Sequence, residues 1–314
     1  MDILYLVVPC YNEEEVLSHT SSILKKKVNQ LMEDGLISPS SKILFVDDGS
    51  KDLTWDIISS LHKEDEIFSG VKLSKNKGHQ NALLAGLMTA RDNADIAISL
   101  DADLQDDVDA IDGFISEYRN GCDIVYGVRS RRDTDTFFKR TTARGFYRFM
   151  RAMGVDIVDD HADYRLMSKR ALDGLADFSE VNLFLRGIVP LIGYKHGFVE
   201  YERGERFAGE SKYPLKKMLG FAIDGITSFS IKPIRLVTTL GVLIFATSMA
   251  MLLYFFIIKL LGRTVQGWAT LMGSIWMIGG IQLLCLGIVG EYIGKIYKEV
   301  KRRPKFIIED ILIK

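Results

Sequence analysis

The residues best suited to chemistry are Asp101, Asp103 and Gln105, which follow the apolar run Ile96–Leu100. A short apolar run between helical patterns predicts a buried parallel strand. If the chain stays extended past Leu100, side chains two positions apart share a face, so two carboxylates and an amide oxygen point together. Oxygen ligands of this kind suit Mg²⁺ or Mn²⁺, with water or phosphate completing the coordination shell.

A simpler interpretation of this segment is a strand-to-helix turn, in which an aspartate caps the helix predicted to begin near Val108. The D-x-D spacing is short and common, so it does not separate the two interpretations by itself. The position favours a ligand site, because open α/β sheets bind ligands at the carboxyl ends of parallel strands.

Apolar runs of strand length alternate with helical patterns through the first part of the chain. The predicted strands are Ile3–Val8, Ile43–Val46, Val71–Leu73, Ile96–Leu100 and Ile124–Tyr126. This alternation is typical of βαβ units and predicts a mostly parallel sheet. No G-x-G-x-x-G follows the first strand, and no P-loop or Cys/His zinc spacing occurs, so dinucleotide, P-loop and zinc chemistry lose their usual support.

The C-terminal part is far more apolar than the rest of the chain. Residues 236–258 and 269–290 form charge-free runs of 23 and 22 residues. A 23-residue helix is about 35 Å long, enough for a hydrocarbon core of ~30 Å. A soluble helical hairpin is rarely apolar on every face, so we predict two transmembrane helices.

Basic residues predict the orientation of this hairpin. The only basic residues in the link 259–268 are Lys259 and Arg263. More basic residues flank the hairpin on both sides: Lys212, Lys216, Lys217, Lys232, Arg235, Lys295, Lys298, Lys301, Arg302, Arg303 and Lys305. Because positive loops stay inside, the N-terminal domain and both termini are predicted to be cytoplasmic.

The predicted domains are an α/β domain over 1–212, an interfacial amphipathic helix over 213–235, two membrane helices over 236–290 and a basic tail over 291–314. The alternative for the amphipathic segment is a core helix of the soluble domain. A net charge of −1 argues against a general nucleic-acid binder. Three widely spaced cysteines match no metal motif and favour a reduced cytosolic setting.

A basic run follows the fifth predicted strand, with eight Lys or Arg between Arg129 and Arg151. Arg140, Arg144 and Arg148 fall at helical spacing on one side. Most charge runs are solvated helix faces. On a membrane-tethered domain, capture of a phosphate or of an anionic lipid is an equal alternative.

Five motifs occur in order along the first 170 residues. They are Val8-Pro9-Cys10-Tyr11-Asn12-Glu13, Asp47-Asp48-Gly49-Ser50, Asn76-Lys77-Gly78, Asp101-Ala102-Asp103-Leu104-Gln105 and Asp163-Tyr164-Arg165. Together they resemble family 2 glycosyltransferases, specifically polyprenyl-phosphate glycosyltransferases related to dolichol-phosphate mannose synthase. The resemblance covers about residues 1–230, and the hairpin is similar to the bactoprenol glucosyltransferase branch. Cys10 departs from the family pattern, with little consequence.

The resemblance implies an α/β fold of the Rossmann-like GT-A type and a site for a nucleotide-sugar. The residues implied in binding the nucleotide-sugar are Pro9, Tyr11, Asn12, Glu13, Asp48, Lys77, Asp101, Ala102, Asp103, Gln105 and Lys212. Asp101, Asp103 and Gln105 are the implied ligands of Mg²⁺ or Mn²⁺. The implied catalytic residues are Asp163, near the reacting sugar, together with Asp103 and the acceptor-phosphate contacts Arg129, Arg140 and Arg144. Relatives with this hairpin assemble as tetramers, so a homo-oligomer is expected.

Elementary chemistry supports the same reaction. A nucleotide diphosphate leaves readily only when its charge is neutralised, which a metal ion does as a Lewis acid. A lipid phosphate, with a second pKa of about 6, is already a nucleophile at neutral pH. Asp163 is therefore expected to orient an arginine or a sugar hydroxyl rather than to abstract a proton. A single displacement inverts the anomeric centre.

We therefore predict an inverting transferase that moves a hexose to undecaprenyl or another polyprenyl phosphate, for glycosylation of the cell envelope. UDP-glucose is the expected donor, with UDP-N-acetylglucosamine or GDP-mannose as alternatives. A processive polysaccharide synthase is disfavoured, because it needs more spans and a Q-x-x-R-W motif that is absent. A membrane-anchored scaffold that binds nucleotides without catalysis is the non-enzymatic alternative.

Overall fold

The computed structural model describes residues 1–129, 161–180, 184–202, 230, 232–261 and 267–313. The chain divides into two compact units. The first unit contains the described residues up to 202 together with 303–313, and the second contains those from 230 to 302. The predicted site residues Arg140, Arg144 and Lys212, and residues 213–229 of the predicted amphipathic helix, lie outside the described residues.

The first unit is built on one mixed sheet. Within the described residues its strands are β1 (Leu4–Cys10), β2 (Lys42–Asp47), β3 (Phe68–Leu73), β4 (Ile96–Ser99), β5 (Ile124–Arg129), β6 (His161–Ser168), β7 (His196–Tyr201) and β8 (Ile308–Leu312). Their order across the sheet is β7-β5-β6-β4-β1-β2-β3-β8. Only β6 and β8 run against the others, so the predicted α/β fold with a mostly parallel sheet is confirmed.

The helices of this unit cover the sheet. They are α1 (Leu17–Glu33), α2 (Thr54–Glu64), α3 (His79–Asn93), α4 (Ala110–Arg119), α5 (Lys169–Ala176) and α6 (Leu185–Leu191). All seven residues of β1 are buried, as expected for a central strand of a covered sheet. On α3, a Cβ at Gly86 would lie 2.4 Å from Val7 Cγ1 and 2.7 Å from Val46 Cγ2, so the glycine permits close packing on the sheet.

The first strand runs through Pro9 instead of ending before it. Val7 O accepts a hydrogen bond of 3.1 Å from Leu100 N–H, on the side where β4 lies. Residues two apart in a strand direct their backbone groups to the same side, so the Pro9 nitrogen points beyond the end of β4. The N–H that proline lacks therefore has no ladder partner to lose.

The C-terminal segment, predicted only as a basic tail, is folded in its described part. The last helix continues to Lys301, and β8 pairs antiparallel with β3, with Val71 opposite Ile311 and Gly70 opposite Leu312. The apolar pattern of β8 is short and interrupted by Glu309 and Asp310, which is why the sequence does not reveal a strand there. Its pairing adds the C-terminal segment to the sheet of the first unit.

The second unit contains two long helices, α7 (Lys232–Leu260) and α8 (Trp268–Lys301), which include both predicted spans. Both helices contain segments long and apolar enough to cross a membrane, Lys232–Met251 and Met277–Lys301. Large apolar side chains are exposed on both, such as Leu236 at 69% and Leu283 at 72%. Exposed apolar surfaces of this size mark contacts with a membrane or with another protein.

Candidate active site

The candidate site lies at the carboxyl ends of the central strands β1, β2 and β4. β1 lies between β2 and β4, and the chain leaves β1 toward β2 but leaves β4 toward β5, so the two connections run toward opposite edges of the sheet. Ligands of open α/β sheets bind at the carboxyl ends of the strands, so a crevice is expected there. The predicted site residues after β1, β2 and β4 all come from these strand ends.

The loops after β1 and β2 are tied to each other. Asn12 Oδ1 accepts from Lys51 N–H at 2.9 Å, and Asn12 N–H donates to Ser50 Oγ at 3.0 Å. Glu13 N–H donates to Thr54 Oγ1 at 2.9 Å. These bonds hold the loop after β1 against the loop after β2, and α1 begins beyond them, at Leu17.

The side chains at the end of β1 differ in exposure. Pro9 is buried within the strand, whereas the Tyr11 ring is 41% exposed. An exposed aromatic ring at the mouth of the crevice offers a stacking surface for a nucleobase. Of these two residues, only Tyr11 therefore presents a side chain to a ligand.

Asp48 joins the loop after β2 to the start of α3. Its two carboxylate oxygens accept from Lys77 N–H at 2.7 Å and from Gly78 N–H at 2.8 Å. Gly78 has a φ of 88°, a conformation that glycine adopts without strain. Burial raises the pKa of Asp48, and the two backbone hydrogen bonds counteract it. The predicted nucleotide contact thus also positions the Asn76–Gly78 motif.

The segment after β4 does not stay extended, so that expectation is wrong. β4 ends at Ser99, and Leu104 N–H bonds back to Asp101 O at 3.4 Å, with Leu104 at a φ of 48°. The turn forms because Ala102 is buried and its carbonyl accepts from Thr20 Oγ1 at 2.7 Å. Asp101 and Asp103 are brought together by a turn, not by strand alternation.

An aspartate does bond to the backbone just before α4, as the simpler interpretation predicts, but it is neither Asp101 nor Asp103. The N–H group of Asp109, just before α4, bonds to Asp107 Oδ1 at 2.9 Å. Asp103 Oδ1 instead accepts from Gln105 N–H at 3.2 Å, within the turn. Neither Asp101 nor Asp103 is used to begin the helix.

Asp163, on β6, is held by two arginines. Its carboxylate accepts from Arg165 Nη2 at 2.8 Å and from Arg186 Nε and Nη2 at 3.2 and 3.1 Å. Burial by itself raises the pKa of Asp163, but the Arg186 and Arg165 guanidiniums outweigh it and hold the pKa well below its usual range. Asp163 is therefore ionised at neutral pH.

His79 connects this carboxylate to the turn after β4. Its Nε2 lies 3.6 Å from Asp101 Oδ1 and 3.8 Å from Asp163 Oδ2. Burial raises the pKa of Asp101, His79 lowers it, and the Asp106, Asp163 and Asp103 carboxylates raise it again. The crevice thus contains closely spaced negative charges that a cation would neutralise.

The donor set fits a divalent cation that is shared with a bound ligand. Among the described residues, no group of three His, Cys, Asp or Glu side chains converges tightly enough to enclose an ion alone. Asp101 and Asp103 could supply two carboxylate oxygens, and Gln105 lies beside them with 9% exposure. The remaining coordination positions would fall to water and diphosphate, as is usual for Mg²⁺.

Several site residues were not predicted from the sequence. His79, Asp106, Arg186 and Tyr201 have partners that are distant in sequence, such as Arg186 with Asp163, whereas Arg165 bonds to Asp163 two residues away. The only sequence signals were an arginine two residues after Asp163 and the histidine after Gly78. Arg129, predicted to contact the acceptor, ends β5 and reaches Asp106 at 3.4 Å.

Comparison with known proteins defines the class. Glycosyl transferase family 2 matches residues 5–175, and the GtrB C-terminal hairpin family matches residues 232–296. The first match covers more than half of the chain, and the second covers most of α7 and α8. The chain therefore belongs to glycosyl transferase family 2, as its motifs predict, and its hairpin indicates association with a membrane.

Relatives are similar over nearly the whole length. The uncharacterized glycosyltransferase YkoT of Bacillus subtilis is 57% identical over 98% of this chain and 91% of its own length. The SfII prophage-derived bactoprenol glucosyl transferase of Shigella flexneri is 39% identical over 97% of this chain and 96% of its own. The prophage bactoprenol glucosyl transferase homolog of Escherichia coli K12 is 37% identical over 98% of both chains.

Proposed function

We propose that this glycosyltransferase moves glucose from UDP-glucose to undecaprenyl or a related polyprenyl phosphate at the inner face of the cytoplasmic membrane, with inversion. The proposal rests on the cluster of carboxylates at the carboxyl ends of the strands, formed by Asp101, Asp103 and Asp163. Its support is that full-length relatives with the same hairpin are named bactoprenol glucosyl transferases. The glycolipid would supply glycosylation of the cell envelope.

The nucleotide-sugar is assigned to the crevice beside β1. Tyr11, Asn12, Glu13 and Asp48 lie on its loops, and Pro9, Lys77, Ala102 and the undescribed Lys212 complete the proposed set. Asp101, Asp103 and Gln105 would hold Mg²⁺ or Mn²⁺ on the diphosphate. A bound ion of this kind stabilises the charge that develops on the leaving diphosphate.

Asp163 is proposed to orient groups instead of abstracting a proton. A carboxylate with a strongly depressed pKa is a weak base, whereas general bases work best with a pKa near the operating pH. Its two oxygens already accept from Arg165 and Arg186. An ionised lipid phosphate needs no base to attack the anomeric carbon, which agrees with this assignment.

The acceptor phosphate is assigned to Arg129, Arg140 and Arg144. Arginine presents a planar fork of donors that matches phosphate oxygens. Holding the phosphate in line with the anomeric carbon would lower the barrier through proximity. The isoprenoid tail would stay in the bilayer beside the hairpin.

The pairing of β8 with β3 supports the proposed orientation. The described residues up to 202 and strand β8, which follows α8, belong to the same compact unit. Two crossings return the chain to the side from which it came. The asymmetry of basic residues then favours the cytoplasmic side for both.

Three alternative functions predict different results in the experiment described below. UDP-N-acetylglucosamine or GDP-mannose would use the same crevice with a different sugar. A processive synthase would give a polymer instead of a single-sugar lipid. A scaffold would bind UDP with no dependence on a metal ion or on Asp101 and Asp103.

The decisive experiment incubates membranes containing the protein with a panel of radiolabelled nucleotide-sugars and undecaprenyl phosphate, with Mg²⁺, Mn²⁺ or a chelator. We expect one labelled glycolipid of a single sugar, formed from UDP-glucose and lost on chelation. A polymeric product, or absence of labelled lipid with every donor, would contradict the proposal.

A further inference from the structure

A buried polar cluster joins the segment after β4 to the ends of β5 and β7. Asp106 is only 4% exposed and accepts a hydrogen bond of 2.5 Å from the Tyr201 hydroxyl. Arg129 donates to the same Asp106 oxygen through Nη2 at 3.4 Å and to the Tyr201 hydroxyl through Nε at 3.3 Å. The Asp106 carboxylate and the Tyr201 hydroxyl therefore each accept a hydrogen bond from the Arg129 guanidinium.

The packing around Tyr201 determines where its hydroxyl points. Its ring meets the edge of Tyr164 with centroids 5.3 Å apart, and Tyr164 meets Phe114 at 4.6 Å. A Cβ at Gly127 would lie 2.9 Å from Tyr201 Cε1, closer than real side chains allow. The missing side chain on β5 thus makes room for the ring, and the hydroxyl is fixed before any ligand arrives.

The arginine in this cluster keeps donors for another partner. The Arg129 side chain is 30% exposed, whereas that of Asp106 is 4% exposed. A guanidinium has five N–H donors, and the cluster uses one on Nε and one on Nη2. A fork that is already oriented loses less conformational entropy when it binds an anion.

We propose that Asp106 and Tyr201 are positioning residues that orient Arg129 toward the phosphate of the acceptor. This inference rests on the proposed function, because it takes Arg129 as a contact of polyprenyl phosphate. It assigns the cluster to the acceptor side of the reaction. The competing role is support of the Asp101–Gln105 turn, which would affect the donor and the metal ion.

The test uses the full-length protein in detergent and the variant Tyr201→Phe, which keeps the packed ring. We expect the acceptor KM to rise about tenfold, the effect of losing one hydrogen bond to charged groups. The kcat and the dissociation constant of UDP with Mn²⁺ should stay within about twofold. A shift confined to the acceptor KM is what distinguishes positioning of Arg129 from a structural role.

Tyr164→Phe is the matched control. It removes a hydroxyl from the same ring stack, one that bonds to Asp107 O at 2.9 Å and not to Arg129. We expect a lower Tm with no change in the acceptor KM. In an Arg129→Lys background, Tyr201→Phe should add less than about twofold, because the two side chains act as one unit.

Three outcomes would overturn the inference. They are equal acceptor KM values for Tyr201→Phe and the wild type, equal shifts in Tyr164→Phe, and weaker UDP or Mn²⁺ binding with an unchanged acceptor KM. Failure of the wild type to glycosylate polyprenyl phosphate with any donor would instead remove the proposed function, and this inference with it. The activity of the wild type therefore separates the two failures.

Discussion

Asp103 is the residue whose loss is expected to affect the chemistry most directly. It lies in the turn after β4, next to the buried Gln105, and its carboxylate accepts from the Gln105 N–H at 3.2 Å. We predict that Asp103→Ala abolishes sugar transfer, by at least about 100-fold, because the leaving diphosphate loses its charge stabilisation. The variant should remain folded and membrane-bound, as measured by Tm and by membrane fractionation.

Asp107→Ala is the control for this prediction. Asp107 lies on the same segment and is exposed, and its carboxylate accepts from Asp109 N–H. It should retain transfer within about threefold. Loss of such a local hydrogen bond lowers the free energy of unfolding by about 1 kcal/mol and removes no contact within the site. Retained transfer in Asp103→Ala would refute the assignment.

Asp163 gives a prediction about stability and pH. Asp163→Asn leaves the fully buried Arg165 without its carboxylate partner, which should lower the free energy of unfolding by about 3 kcal/mol at pH 7. Because the folded-state pKa of Asp163 is depressed, its stabilisation is present above the unfolded-state pKa of about 3.9. That stabilisation is lost as the pH falls through the depressed folded-state pKa.

Thermal unfolding in detergent measures this difference. The Tm gap between wild type and Asp163→Asn should stay constant from about pH 8 to pH 5 and shrink only below about pH 4. Asp173→Asn, which removes a surface partner 3.6 Å from Arg91, should change stability by less than about 1 kcal/mol. A gap that closes between pH 7 and pH 5 would show that the pKa of Asp163 is not depressed.

At the scale of elements, β8 is the least expected part of the fold. It covers the edge of β3 and brings Leu312 against the core of the sheet, while Ile311 is 49% exposed. An uncovered β3 would present unpaired backbone groups, which promote aggregation. We therefore assign β8 a stabilising role for the catalytic unit.

The two neighbouring apolar residues of β8 allow a matched test. Leu312→Asp should destabilise the unit by about 2 kcal/mol, the cost of losing a largely buried leucine, and lower Tm by about 4–8 °C. Ile311→Asp, on the opposite face, should change Tm by less than about 2 °C. Equal effects of the two substitutions would mean that β8 does not pack on the core.

At the scale of the whole molecule, the hairpin of α7 and α8 lies, along the chain, between two segments that belong to the first unit. We predict that the link between α7 and α8 lies on the side of the membrane opposite to β8, because two crossings separate the ends of a hairpin from its link. Gly267 is exposed at the end of this link, and Glu309 is exposed on β8. The two positions therefore report opposite sides.

Cysteine labelling tests this topology in a background without Cys10, Cys122 and Cys285. A membrane-impermeant maleimide should label Gly267→Cys in intact cells. It should label Glu309→Cys only after the membrane is permeabilised. Labelling of Glu309→Cys in intact cells would contradict the cytoplasmic placement of the catalytic unit.

The sequence alone determined the features that depend on local periodicity. The alternation of strands and helices, the acids at the ends of β2 and β4, and the apolar length of α7 and α8 follow from residues near one another in the chain. Such patterns reflect burial of one face or of a whole segment, which a linear sequence displays directly. The family and the membrane hairpin were accessible for the same reason.

Only the tertiary structure decided which side chains meet. The turn at Leu104, the pairing of Asp163 with Arg186 and the Asp106–Tyr201 bond depend on a strand order that brings β6 beside β4 and β7 beside β5. The pairing of β8 with β3 joins residues more than 230 positions apart. Local periodicity carries no information about such pairings, because they are set by packing across the whole sheet.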